Sequence, residues 1–177
     1  MPKPRYTKNK ILVTGPNANN QSILGDWHNP QPDENVYTIF EGIEKIGSEI
    51  GYFVDYHNSN ENIRKISNYD ISKAVEVAKQ YDIVIVVVGD NSMRYKWSQK
   101  TAGENTARAE LNLAGRQLDL VMKLKETGKK IIVVYVNGRP ISEPWISENI
   151  NAIIEVWEPG SFGGIATAEI CLLYTSD

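Results

Sequence analysis

The chain has 177 residues, 41% of them hydrophobic, with 19 Lys+Arg against 22 Asp+Glu, a net charge of −3 and one cysteine. That length fits one domain able to bury roughly two-thirds of its unfolded surface and is too short for two full catalytic lobes. The lone Cys171 excludes an internal disulfide framework and a cysteine-based metal cluster. The charge balance, without a dense Lys/Arg block, argues against nucleic acid and anionic membrane as partners.

Residues 1–9 carry Lys3, Arg5 and Lys8 among Pro2 and Pro4 and read as a solvated linker. They lack the apolar core of a signal peptide, and no run in the chain approaches the roughly 20 apolar residues of a membrane span. No export address is expected within these residues, and the compartment is left open. Lys10–Thr14 then forms the first short β-branched apolar run, followed by a Pro- and Asn-rich loop from Gly15 to Asn35. Val36, Ile39, Phe40 and Ile43 fall on one helical face, and Tyr52–Tyr56 is a weaker strand candidate. Ile71, Ala74, Val75 and Ala78 repeat the helical spacing, with Asp70 or Ser72 placed to cap the start.

Asp82–Val88 is the second strong strand, and after it Gly89–Leu113 runs on without an obvious element. Leu118, Val121 and Met122 make a third helical stripe that Gly128 would stop, before the third strong strand at Lys130–Val136. Asn137–Pro140 reads as a turn, with Pro140 opening a short helix and Arg139 free to bind an anion or to form a structural ion pair. Ala152–Val156 is the last strand candidate, and a helix begins after Gly163-Gly164 and runs through Ile170. The strong strands are continuously apolar, which requires cover on both faces. Five alternations of strand and helix predict an α/β fold: a three-layer αβα sandwich on a mostly parallel sheet of five or six strands.

In such sheets active groups gather at the carboxyl ends of the strands, so the Gly89–Leu113 loop is the chief suspect. It holds the carboxylates Asp90, Glu104 and Glu110, the cations Arg94, Lys96, Lys100 and Arg108, and the aromatics Tyr95 and Trp97. Carboxyls beside flat rings suit carbohydrate chemistry, because a ring stacks on a sugar face while a carboxyl protonates a glycosidic oxygen. The competing reading is a solvated loop whose charges pair locally. Arg108 lies four residues after Glu104, and in a helical turn the two would share a face. Gly15-Pro16-Asn17 lacks the later glycines of a dinucleotide fingerprint, and neither a Walker motif nor a Gly-x-Ser-x-Gly elbow is present. His28 and His57 are too few for a metal site, so no metal and no cofactor are expected.

Several further segments occur in a fixed order. They are Lys10–Ala18, Leu24-Gly-Asp-Trp27, Thr38–Ile43, Asp82–Gly89, Gly103-Glu-Asn-x-x-Arg108, Leu111-Asn-Leu-x-Gly-x-Gln117, Val136–Pro140 and Trp157-x-Pro-Gly-x-x-Gly-Gly164. The series, over Lys10–Ile170, closely resembles the C-terminal α/β-sandwich domain of family 3 glycoside hydrolases, the β-glucosidase/β-xylosidase type. The resemblance implies a (β/α)8 barrel, absent here, that carries an aspartate nucleophile, while this domain leans its acid/base glutamate over the barrel mouth. The active site would then lie at the domain junction, where a β-linked oligosaccharide or glycoside binds.

Glu104 matches the acid/base position, with Asp90 and Glu110 as fallbacks; Arg108, Trp97 and Arg94 are the implied substrate contacts. Ala107 stands where the family commonly has an Asp before the Arg. The implied function is retaining hydrolysis of terminal non-reducing β-D-glucosyl or xylosyl residues, with the isolated chain inactive. The alternative is a non-catalytic carbohydrate-binding or scaffolding module that stacks sugars on Trp97 and Tyr95. Without the barrel the long loop is expected to be mobile or displaced, and the barrel-facing surface is expected to drive self-association. Residues 171–177 read as a tail, an artificial or frame-shifted terminus or else a natural short end, and Met1 reads likewise as a start outside the native domain.

Overall fold

The β-branched runs become strands of a single parallel sheet in the order β2-β1-β3-β4-β5. The computed structural model describes residues 9–173; Met1, nearly all of the linker expected over 1–9, and residues 174–177 of the expected tail lie outside it. The strands are β1 (Lys10–Thr14), β2 (Phe53–His57), β3 (Ile83–Gly89), β4 (Lys130–Val136) and β5 (Ala152–Trp157). The helices are α1 (Ile39–Glu49), α2 (Asn68–Ala78), α3 (Gln117–Lys125), α4 (Pro144–Asn149) and α5 (Gly163–Leu172). This is the expected α/β sandwich.

Alternation along each strand sorts the core into two layers. Val84, Val86 and Val88 of β3 join Leu12, Val133, Leu120 and Ala74 under α2 and α3. Ile85 and Val87 join Ile11, Val13, Val134 and Ile43 under α1 and α5. Both faces of β3 are therefore dry, which is why its sequence shows no polar alternation. On the second face α1 and α5 meet backbone to backbone: a Cβ on Gly42 would stand 2.0 Å from the Gly164 carbonyl oxygen. Only glycines permit that approach.

Three local expectations are corrected. Helix α2 is capped by Ser67, not by Asp70 or Ser72. The Ser67 hydroxyl accepts from the Asp70 amide, and the Asp70 carboxylate accepts from the Ser67 amide, forming a capping box. The short helix after the Asn137–Pro140 turn opens at Pro144, not Pro140. Helix α5 continues through Leu172, so Cys171 and Leu172 pack against the second core layer instead of opening a tail. Burial pushes the Cys171 thiol up to about 12.

Candidate functional site

The strand order reverses between β1 and β3, where sheets of this kind open a ligand crevice. Here the Asn17 side chain bridges the loops after β1 and β3. Asn17, 1% exposed, donates to the carbonyls of Asp90 (2.7 Å) and Val136 (3.3 Å).

The Asn17 contact also anchors the root of the Gly89–Leu113 loop, and other motif residues reinforce it. The Gln117 side chain, fully buried at the start of α3, accepts from the Gly89 amide (2.8 Å) and donates to the Gly89 carbonyl (2.8 Å). Arg139 from the loop after β4 pairs with the Asp90 carboxylate at 2.9 Å, and Arg108 approaches it at 3.9 Å. The Thr101 hydroxyl donates to Asp90 and accepts from the Asn91 amide. Farther along, the Leu113 amide donates to Glu143 at 2.8 Å. The loop expected to be mobile or displaced is therefore laced onto the domain, with its only regular piece a 3-10 stretch at Arg94–Gln99.

Lacing at the root leaves the crown facing outward. Gly103 (φ +90°) and Asn105 (φ +58°) flank Glu104 in left-handed conformations, and the Thr106 amide closes the turn onto the Gly103 carbonyl at 3.0 Å. The Glu104 side chain stays 41% exposed and pairs with Arg94. Arg94 lies with its guanidinium carbon 3.7 Å from the centre of the Trp27 ring, and its Nε is 3.5 Å from the Asp26 carboxylate.

Beneath the turn sits Lys100, 3% exposed, donating to Asp26 (2.9 Å) and to the Glu104 carbonyl (3.1 Å) while facing the Trp97 ring at 4.7 Å. Asp26 also accepts from the Glu104 amide. Burial alone would raise the Asp26 carboxyl. The bonds from Lys100 and the Glu104 amide, with the charges of Lys100 and Arg94, outweigh it and hold the carboxyl below its ordinary value.

The candidate residues thus separate into two clusters. Glu104, Arg94 and Trp97 stand together at the rim. Asp90, 3% exposed, lies beneath them in an ion pair, and Arg108 turns toward it and toward Asn112. Arg108 does not share a face with Glu104, because Thr101–Glu110 is a chain of turns and bends without a helical stretch. Arg139 takes the structural ion pair. Glu110 is exposed at the surface, and its carbonyl accepts from Arg139.

Asp26, Trp27 and Lys100 were not singled out in the sequence as site residues. The Gly25-Asp26-Trp27 segment gives no local sign that it crosses to a loop 74 residues away. A lysine in a charged loop looks solvated. Glu158 was missed as well: its carboxylate accepts from Ser92 at 2.6 Å, tying the loop after β5 to the same rim. Among the described residues, no group of three His, Cys, Asp or Glu could hold a metal ion, and no helix is long and apolar enough to cross a membrane.

Fold and rim define the class: an α/β sandwich whose working loops leave the carboxyl ends of a parallel sheet. The chain belongs to glycosyl hydrolase family 3, whose C-terminal domain model matches residues 3–173. It is 34% identical over 168 residues to a β-xylosidase of Formosa agariphila, covering 90% of this chain and 22% of that protein. It is 32% identical over 179 residues to a periplasmic β-glucosidase of Salmonella typhimurium, covering 90% and 22%. Among solved structures, a GH3 exo-β-xylosidase (XlnD) in complex with a xylobiose aziridine activity-based probe matches 94% of this chain and 20% of that one, at TM-score 0.76 and 28% identity. A β-glucosidase from Listeria innocua in complex with isofagomine shares the fold at TM-score 0.76 and 23% identity, over 94% and 22% of the two chains. The chain spans about a fifth of the length of these relatives.

Proposed function

We propose that this chain is the acid/base-bearing domain of a retaining β-glycosidase acting on terminal non-reducing β-D-glucosyl or xylosyl residues. Glu104 is the general acid and then the general base. Retaining chemistry uses two carboxyls about 5–5.5 Å apart across the glycosidic bond. The second, a nucleophile, belongs to a (β/α)8 barrel outside this chain, and substrate binds at the junction.

The observation that carries this reading is the presentation of Glu104. Its carboxyl is outward on a tight turn and pairs with Arg94, whose guanidinium lies over the exposed Trp27 ring, while the exposed Trp97 ring faces Lys100 beneath the turn. Asp90 is a poor alternative because its carboxylate is spent on Arg139 and Thr101. Glu110 is exposed but lacks a comparable frame. Trp97 and Arg94 are the substrate contacts this geometry favours, and Arg108 supports the loop from below.

The chain alone should not turn over aryl β-glucosides or β-xylosides. Hydrolysis that disappears in Glu104→Gln would overturn the shared-site reading, since the nucleophile would then lie within these residues. A second reading, a non-catalytic sugar-binding module, draws on the exposure of Trp27 (76%) and Trp97 (51%). Titration with gluco- and xylo-oligosaccharides separates the two. The shared-site reading predicts no saturable binding by the chain alone, whereas binding lost in Trp97→Ala favours the module.

A further inference from the structure

Lys100 carries a charge at 3% exposure, in a loop whose outer residues have access to water. Removing an ammonium from water costs several kcal/mol unless its partners restore what hydration supplied. Three do so here: the Asp26 carboxylate at 2.9 Å, the Glu104 carbonyl at 3.1 Å and the face of Trp97. Asp26 in turn spans Lys100 with one oxygen and the Glu104 amide with the other.

The ion pair therefore grips both backbone groups of one residue, its N–H through Asp26 and its C=O through Lys100. Gly103 makes room for the grip, because a Cβ there would stand 2.6 Å from an Asp26 carboxylate oxygen, at a φ of +90°. A buried pair placed only for stability would be replaceable by apolar side chains. This one is built around the residue whose carboxyl projects to the rim.

We propose that Asp26 and Lys100 are positioning residues that fix the backbone of Glu104, and with it the placement of its carboxyl for proton transfer. This rests on the reading of Glu104 as acid/base. Asp26 and Lys100 act through the backbone of Glu104: they hold the turn from which it reaches. The loop after β1 thereby belongs to the machinery of the loop after β3. A small misplacement of a proton donor is costly in rate, and the cost falls only on steps that need the proton.

That selectivity gives the test. In the barrel-bearing protein, kcat/KM is measured for aryl β-glycosides releasing 2,4-dinitrophenolate, which departs without a proton, and phenolate, which needs one. Asp26→Asn and Lys100→Met are each expected to lower the phenyl glycoside by about tenfold or more, while the dinitrophenyl glycoside changes by less than about threefold. Equal losses on both substrates, or no loss on either, would overturn the proposal and leave the pair a structural one. Should Lys100→Met fail to fold, the isosteric Asp26→Asn decides.

Glu104→Gln is run beside them. If it shows no leaving-group dependence, the acid/base reading fails and the proposal falls with it; if it does and Asp26→Asn does not, positioning alone is wrong. The grip itself is read in this chain without a barrel. The Glu104 amide proton resonance should follow the titration of Asp26, the group it shares with Lys100 and Arg94, and should stop doing so in Asp26→Asn. An amide indifferent to that substitution contradicts the geometry.

Discussion

Asp90 and Glu104 lie in the same loop, and burial gives them opposite work. Asp90 sits beside a strand end, where Arg139 neutralises it and the Thr101 hydroxyl donates to one of its oxygens. Glu104 stands on a turn that lifts its carboxyl to the surface. Removing the Asp90 carboxylate would leave Arg139 without its charge partner at a largely buried site. Asp90→Ala should therefore destabilise the chain by about 3 kcal/mol in urea unfolding, and a loss below about 1 kcal/mol would mean the pair is hydrated.

Asp26 makes a second prediction at this scale. Its folded pKa is held below the ordinary 3.8, so its contribution is complete at neutrality and is lost as pH falls below about 3.8 toward the folded value. Asp26→Asn should flatten the decline of unfolding free energy with falling pH in that window. Asp70, also held low, mainly by its hydrogen bond from Ser67, keeps its own share of the slope. An unchanged slope in Asp26→Asn would contradict the Lys100 and Arg94 contacts.

The elements were the most legible level. β3 and β4 are buried on both faces, so their runs of Val and Ile cannot alternate with polar residues, and the pattern reads directly. β2 and β5 lie at the sheet edges, and their half-exposed residues weaken the same signal. Helix caps were less legible: the spacing points to Asp70 or Ser72, whereas the reciprocal hydrogen bonds between Ser67 and Asp70 put the cap at Ser67. Ser67→Ala should cost about 1 kcal/mol, while Ser72→Ala, whose hydroxyl only returns a bond to the Asn68 carbonyl, should stay within about 0.5 kcal/mol. The reverse order in thermal or urea unfolding would refute the cap assignment.

At the scale of the whole molecule, the site was only half legible. Glu104 and its exposed neighbours lie in one continuous segment, and a carboxyl beside aromatic and cationic residues is a local pattern. Asp26 and Lys100 meet across 74 positions, and nothing local in either segment announces the other. The same limit applies to Arg139, whose use as an ion pair for Asp90 depends on β3 and β4 ending side by side. The loops after β1, β3, β4 and β5 converge on one rim, and the exposed rings of Trp27, Trp97, Trp157 and Phe162 stand on these loops or at the strand end that leads into them. The chain spans about a fifth of its relatives' length, and the proposed shared active site puts the remaining catalytic group outside it.

The assignment of Glu104 is tested most directly by anion rescue in the barrel-bearing protein. With the acid/base removed in Glu104→Ala, an activated aryl β-glycoside can still form the glycosyl-enzyme, but water is no longer activated to attack it. Azide needs no deprotonation and should enter the vacated space, restoring turnover and yielding the β-configured glycosyl azide. If azide leaves Glu104→Ala unchanged but restores Glu110→Ala or Asp90→Ala, the acid/base lies elsewhere in this loop and the account of Glu104 is wrong.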